Sequence, residues 1–167
     1  MPRVGGRALL CGFYLNELLL KLLAREDPHP GLFATYEGAL RELAAGQEQA
    51  PVLRRFELDL LAELGYALPL AVEADTGAPI DPAARYHYPP DRGPRSVGGA
   101  LHAAEPHNGA PLLALHARAF PDGETAAEAK RLMREVLDHY LEQRGIESRR
   151  VVQDLQALVG EGSDGSD

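Results

Sequence analysis

The residues best suited to chemistry in this sequence are two arginines that stand beside apolar side chains. Leu53, Arg54, Arg55 and Phe56 open a run that continues E-L-D-L-L-A-E-L. An arginine guanidinium forms charge-assisted, bidentate hydrogen bonds to carboxylates, and adjacent apolar side chains bury the apolar part of a ligand. The combination predicts a binding site for a partner peptide that ends in an aromatic or aliphatic residue with a free carboxylate.

A second set of cations lies near the C-terminal end of the chain. Its members are Lys130, Arg131, Arg134, Arg149 and Arg150. Clustered cations of this kind bind nucleic-acid phosphates, which gives an alternative function with a steep dependence of affinity on salt. Each basic set is more often part of a solvent-facing helix surface than of a binding site, because charged side chains usually face water.

The patterns expected of enzymes and metal sites are weak. Asp75-Thr76-Gly77-Ala78 resembles the aspartic protease motif, but that chemistry needs two carboxylates sharing a proton. Glu73 and Pro79 interrupt the strand the motif requires, so a turn is predicted. The histidines form no H-E-x-x-H pair, and His102 and His107 are expected in a loop. We therefore expect no catalytic residue, no metal and no cofactor.

The element that must position the first site is a helix. Leu53, Phe56, Leu60 and Leu64 recur at helical spacing on one face. Pro51 suits the first helical position, Gly65 follows the last periodic residue, and Pro69 prevents the helix from resuming. Such an apolar helix needs other helices packed around it.

The remaining pattern predicts a mainly α fold, a helical bundle with a small irregular β excursion. The expected further helices are 8–25, which is apolar on nearly all sides and therefore buried, 32–45, 112–119, 124–143 and 149–158. Gly145 is expected to end the long helix, and Ser148 to cap the last one.

Between residues 71 and 111 seven prolines interrupt the chain, so long helix is unlikely there and a small β element is predicted. Its strands are expected at Ala84–Tyr88, where successive side chains should alternate between core and solvent, and at Ser96–His102. The expected organisation is a flexible lead-in at 1–7, one domain at 8–158 and a disordered acidic tail at 159–167.

Composition narrows the class of protein further. The formal net charge is −8, which argues against a strong nucleic-acid binder, and Cys11 is the single cysteine. No apolar stretch is long enough for a membrane span. These features favour a cytoplasmic, reduced setting without membrane contact.

Several segments, taken in order, resemble a known family. They are G-F-Y-L-N-E-L-L at 12–19, L-R-R-F-E-L-D-L-L-A-E-L-G-Y at 53–66, D-T-G-A-P-I-D with Y-H-Y at 75–88, L-L-A-L-H-A-R-A-F-P-D at 112–122, A-K-R-L-M-R at 129–134 and E-S-R-R at 147–150. Together they are similar to the C-terminal region of the bacterial DNA repair protein family RecO, over about residues 8–155.

The resemblance implies a recombination mediator that helps to load RecA onto DNA coated by single-strand-binding protein (SSB), together with RecR. It further implies that the helical domain receives the acidic C-terminal tail of SSB. Arg54 is the best candidate for that contact, and Arg55, Phe56 and Leu53 are weaker ones. The resemblance also implies DNA annealing as an alternative activity of the whole family.

Two departures from the family pattern qualify these implications. No segment here matches the family's N-terminal OB-fold, so we expect DNA binding by this chain to be weak. Some members hold zinc with four cysteines in the region that matches 71–102, where this chain has none. The chain resembles the zinc-free type.

Overall fold

The computed structural model describes residues 6–24, 28–98, 105–120 and 123–160, with side chains as far as Gly145. Within these residues the chain forms five helices and one small sheet. The helices are α1 (Gly6–Leu22), α2 (Pro30–Ala44), α3 (Gln49–Glu63), α4 (Gly109–Ala117) and α5 (Glu124–Gly160), and the strands are β1 (Arg85–His87), β2 (Arg95–Ser96) and β3 (His107–Asn108). The predicted mainly α fold with a small β excursion is confirmed.

Helix α3 forms much of the centre of the core, as its apolar spacing predicts. Phe56, Leu60 and Leu61 are almost completely buried. The helix ends in a Schellman motif, in which the Tyr66 N–H donates to the Leu61 carbonyl at 2.7 Å. Gly65 supplies the left-handed conformation, with φ of 86°, that this ending requires.

Helix α1 is not the fully buried helix that its composition suggests. Leu15, Leu18 and Leu22 face the core, but Leu20 is 84% exposed. Three more of its large apolar side chains are exposed: Leu9, Leu10 and Phe13. The prediction was wrong because composition cannot show how many sides of an apolar helix its neighbours cover.

The β excursion is a three-stranded antiparallel sheet with β1 in the centre. Tyr86 pairs with Ser96 of β2 on one side and with His107 of β3 on the other. The second strand begins at Arg95, and the sequence pattern missed the third. The expected alternation is also wrong, since Tyr86, His87 and Tyr88 are all buried beneath the helices and loops around them.

The segment Asp75-Thr76-Gly77 forms the predicted turn. The Gly77 N–H donates to the Glu73 carbonyl at 2.9 Å, and Gly77 has a φ of 71°. Arg95 Nε donates to Asp75 Oδ2 at 2.7 Å. Asp75 is thus an exposed carboxylate in an ion pair, which is not the proton-sharing carboxylate of a protease dyad.

Helix α5 runs without a break from Glu124 to Gly160, although Gly145 was expected to end it and Ser148 to begin another helix. A glycine inside a helix costs only about 1 kcal/mol and stops it only where the chain takes a left-handed turn. Gly145 has no positive φ. Helix α4 starts at Gly109, three residues before the predicted start.

Several predictions from the sequence fall on positions outside the described residues. They concern residues 1–5, His102, Pro121, Asp122 and the predicted tail from 161 onward, whereas residues 159 and 160 of that tail lie in α5 and are not disordered. Within the described part, α1 begins at Gly6. No helix there is long and apolar enough to cross a lipid bilayer.

Candidate partner-binding site

A groove runs between the N-terminal end of α3, the end of α4 and the start of α5. It has a volume of about 620 Å³. Mostly apolar or small side chains line it, among them Cys11, Pro51, Leu53, Ala114, Phe120 and Ala129. We refer to it as the apolar groove. Its size suits one or two apolar side chains of a ligand.

A second cavity of about 350 Å³ continues from the groove between α1, α3 and α5. Its polar lining residues are Tyr14, Arg54, Glu57, Lys130, Arg134 and Asp138. We refer to it as the polar cleft. Leu53, Arg54 and Lys130 line both cavities, so they form the boundary at which apolar surface meets charge.

Arg54 lies at this boundary and is only 8% exposed. Its Nη2 donates to Glu57 Oε1 at 2.6 Å, one helical turn further along α3. Its Nε has no hydrogen-bond partner within the described structure. A buried guanidinium with an unused donor beside a cavity is prepared to bind an acceptor from a ligand.

Glu57 lies beneath Arg54 and is fully buried. The Tyr14 hydroxyl of α1 also donates to Glu57 Oε1, at 2.7 Å, whereas Oε2 has no partner in the described part. Burial raises the pKa of Glu57, and the nearby Arg54, the Tyr14 hydrogen bond and Lys130 partly oppose that rise. The pKa of Tyr14 is raised as well, mainly by burial and then by the charge of Glu57.

Lys130 and Arg134 bring two further cations to the polar cleft from successive turns of α5. Both are exposed. Neither residue forms an ion pair with another described side chain. Asp138, one turn beyond Arg134, is the carboxylate at the rim. The two cations therefore remain available to an incoming anion.

Arg131 belongs to a different surface, although it is adjacent to Lys130 in the sequence. Its Nη2 donates to the Pro106 carbonyl at 3.2 Å, and its Nη1 lies 3.3 Å from Glu135 Oε1 and 3.9 Å from Glu105. These contacts attach the segment before β3 to α5. Arg131 is thus engaged in holding the fold together.

The structure also separates the residues that the sequence grouped around Arg54. Arg55 faces α2, where it forms an ion pair with Glu42. Phe56 is 1% exposed and belongs to the core. Leu53 and Arg54 therefore share a site with Lys130 and Arg134, while the side chains of Arg149 and Arg150 lie outside the described set.

Sequence reasoning missed Tyr14 and Glu57. The signal for Glu57 was present, because Arg54, Glu57 and Leu61 follow each other at spacings of three and four residues. Leu61 is buried, so the face of the helix that it shares with Arg54 and Glu57 places two opposite charges against the core. Nothing in the sequence indicates that Tyr14, 43 residues earlier, completes the pair.

The histidines are placed differently from the expectation. His107 lies in strand β3, is 1% exposed, and has its Nε2 2.8 Å from Glu135 Oε2. His139 lies near Asp91 at 3.0 Å. Across the described side chains no group of three or more histidines, cysteines or carboxylates is arranged to hold a metal ion.

Comparison with known families agrees with the order of the motifs. Residues 5–150 match the family described as "Recombination protein O C terminal". The chain belongs to the RecO family. The matched range contains α1 to α4, the β excursion and α5 as far as residue 150.

Curated RecO relatives support the assignment. The chain is 45% identical over 157 residues to "DNA repair protein RecO" of Aromatoleum aromaticum, covering 94% of this chain and 65% of that protein. It is 48% identical over 149 residues to the protein of the same name from Methylococcus capsulatus, covering 89% of this chain and 60% of the relative. The chain thus spans less than two thirds of the RecO relatives it matches.

Proposed function

We propose that this RecO-family chain is a non-enzymatic interaction domain of DNA repair and homologous recombination that captures the acidic C-terminal tail of SSB. The observation that carries the proposal is the junction of the apolar groove with the polar cleft at Arg54. An apolar end of the tail would enter the groove, and its carboxylates would meet Arg54, Lys130 and Arg134. In this role the chain would support RecA loading together with RecR.

The chemistry of the junction suits such a tail better than it suits a phosphate backbone. A nucleic acid needs a row of cations along an extended surface, and this chain has a net charge of −8. Within the described residues, the cations at the junction are few, and they adjoin apolar surface that a phosphate backbone has no group to fill. A peptide ending in an apolar residue with a free carboxylate uses both halves of the junction.

The test is a fluorescence titration of the chain with a labelled peptide of the SSB tail. Lys130→Ala and Arg134→Ala are the informative variants, because neither residue forms an ion pair within the described part, so we expect both variants to stay folded. Each should weaken binding by at least about tenfold, since one charge-assisted hydrogen bond contributes about 1.5–3 kcal/mol. A peptide with an amidated C-terminus should bind more weakly to the unmodified chain.

Arg131→Ala is the matched control, since it removes a cation from the same helix but outside both cavities. Peptide affinity should stay within about twofold of the unmodified chain, a difference of about 0.4 kcal/mol. If all three variants leave affinity unchanged, the tail binds elsewhere. A single-stranded oligonucleotide that binds with steep salt dependence and loses affinity in Arg131→Ala as well would instead favour the DNA-binding alternative.

A further inference from the structure

Glu57 presents to Arg54 the same chemical group that a tail carboxylate would bring. Its Oε1 accepts from Arg54 Nη2 at 2.6 Å, and its side chain is closed off from solvent. Within this pair, Arg54 Nε and Glu57 Oε2 have no hydrogen-bond partner in the described structure, and both residues line the polar cleft. An incoming carboxylate therefore meets an arginine whose charge an internal carboxylate already neutralises.

We infer that binding of an anionic tail at the polar cleft is coupled to uptake of one proton by Glu57, which makes Glu57 the residue that regulates this site. The inference rests on the proposed function, because it concerns the same cleft. The proton comes from the solvent and forms an O–H bond on the Glu57 carboxyl group. On dissociation of the tail the proton returns to solvent, and Glu57 neutralises Arg54 again.

The charges around Glu57 come from all three helices that form the cleft. Helix α1 contributes Tyr14, and α3 contributes Arg54. Helix α5 contributes Lys130 and Arg134, and Asp138 at the rim. The described residues that line the groove and the cleft include no histidine, and Glu57 is the buried carboxylate among them that is bonded to Arg54.

The direction of the coupling follows from what holds Glu57 in its ionised form. Burial raises its pKa, and Arg54, the Tyr14 hydroxyl and Lys130 act against that rise. A bound carboxylate would turn Arg54 and Lys130 toward itself and add a negative charge nearby. The pKa of Glu57 is then higher in the complex than in the free chain, so affinity rises as pH falls between those two values.

The experiment is a calorimetric titration of the full chain with the SSB-tail peptide. It is run in two buffers of different ionisation enthalpy, between about pH 5.5 and 7.5, where peptide carboxylates with an ordinary pKa near 4 stay ionised. The buffer dependence of the heat counts the protons taken up. We expect net proton uptake and affinity that falls with rising pH, by up to tenfold per pH unit for one fully coupled proton.

Glu57→Gln keeps the hydrogen-bond acceptor but not the charge. It should bind the peptide at least as tightly at the upper end of the pH range and should lose the pH dependence. Asp138→Asn removes the exposed carboxylate at the rim. Peptide binding by this variant should keep its pH dependence. The number of protons taken up is measured on the unmodified chain, so this result does not depend on whether a variant folds.

The outcomes separate the two proposals. Peptide binding that takes up no proton, or a Glu57→Gln variant with an unchanged pH profile, overturns the coupling and leaves tail capture standing. Absence of peptide binding at every pH overturns both.

Discussion

Replacing Arg54 by alanine is the substitution that tests how binding and folding are linked at this site. The sequence alone suggests that such a variant loses binding while staying folded. The structure predicts a second effect, because Arg54 is the only cation hydrogen-bonded to the buried carboxylate of Glu57 in the described structure. Without Arg54, Glu57 keeps one hydrogen bond, from Tyr14.

The size of the effect follows from the burial of the pair. The side chains of Arg54 and Glu57 are 10% and 0% exposed. Removing one partner of a buried ion pair costs about 3–5 kcal/mol, because the other charge remains buried without compensation. Arg54 borders a cavity that water can enter, so we expect the lower end, about 3 kcal/mol. For a protein of this length that corresponds to a decrease in Tm of about 6–12 °C.

The raised pKa of Glu57 determines how the loss of stability in Arg54→Ala changes with pH. Burial already raises the pKa of Glu57 above its unfolded value, and loss of Arg54 raises that pKa further. A group with a raised folded pKa stabilises the folded state fully below the unfolded pKa and loses that contribution as pH rises through the folded pKa. The stability deficit of Arg54→Ala should therefore be larger at about pH 8 than at about pH 4.5, which is close to the ordinary glutamate pKa.

Urea denaturation at those two pH values measures the free energy of unfolding directly. The double variant Arg54→Met with Glu57→Leu serves as the control, because replacing a buried pair by apolar residues of similar volume is often neutral or stabilising by about 1–4 kcal/mol. The reasoning is refuted if Arg54→Ala loses less than about 1 kcal/mol at the higher pH. It is equally refuted if the loss grows on acidification.

Three further predictions concern the fold and the location of bound peptide. Gly109→Ala should destabilise the chain by at least about 2 kcal/mol, because the new Cβ would lie 2.0 Å from the Asp81 carbonyl oxygen. Gly145→Ala should stabilise the chain by about 0.5–1 kcal/mol, because a Cβ there meets nothing within 4 Å in an unbroken helix. Thermal melts of both variants check this, and a destabilised Gly145→Ala would contradict the continuity of α5. Cys11 lines the apolar groove, so bound SSB-tail peptide should slow its labelling by a maleimide; an unchanged labelling rate would place the peptide elsewhere.

The helical fold could be predicted because its signals are local. Helix α3 shows why: apolar residues recur at helical spacing and Gly65 ends the helix with the conformation expected of it. Local signals also explain the errors. The stop signal at Gly145 has the right residue type, but α5 continues, since neither composition nor spacing reveals whether the chain turns there.

The candidate site was only partly predictable, because its residues meet through packing between distant segments. Arg54 and Lys130 stand 76 positions apart, and the sequence assigned them to two different functions. The structure brings them to one boundary between two cavities. For Phe56 the error is the reverse, because the sequence grouped it with Arg54 in one site. Arg54, two positions earlier, reaches the cavity, whereas Phe56 lies in the core.

The whole chain carries a net negative charge, whereas the cleft presents cations. This contrast affects which ligands the site selects. A net charge of −8 repels anions at long range, yet this repulsion is screened beyond about 8–10 Å at physiological salt. At shorter range Lys130 and Arg134 face the cleft without ion-pair partners among the described side chains. An anion therefore gains affinity only when it enters the cleft, and it gains most when an apolar group fills the adjoining groove. Selection by this pair of conditions favours a short acidic tail with an apolar end over an extended polyanion, whose remaining charges would stay in the repulsive field of the chain.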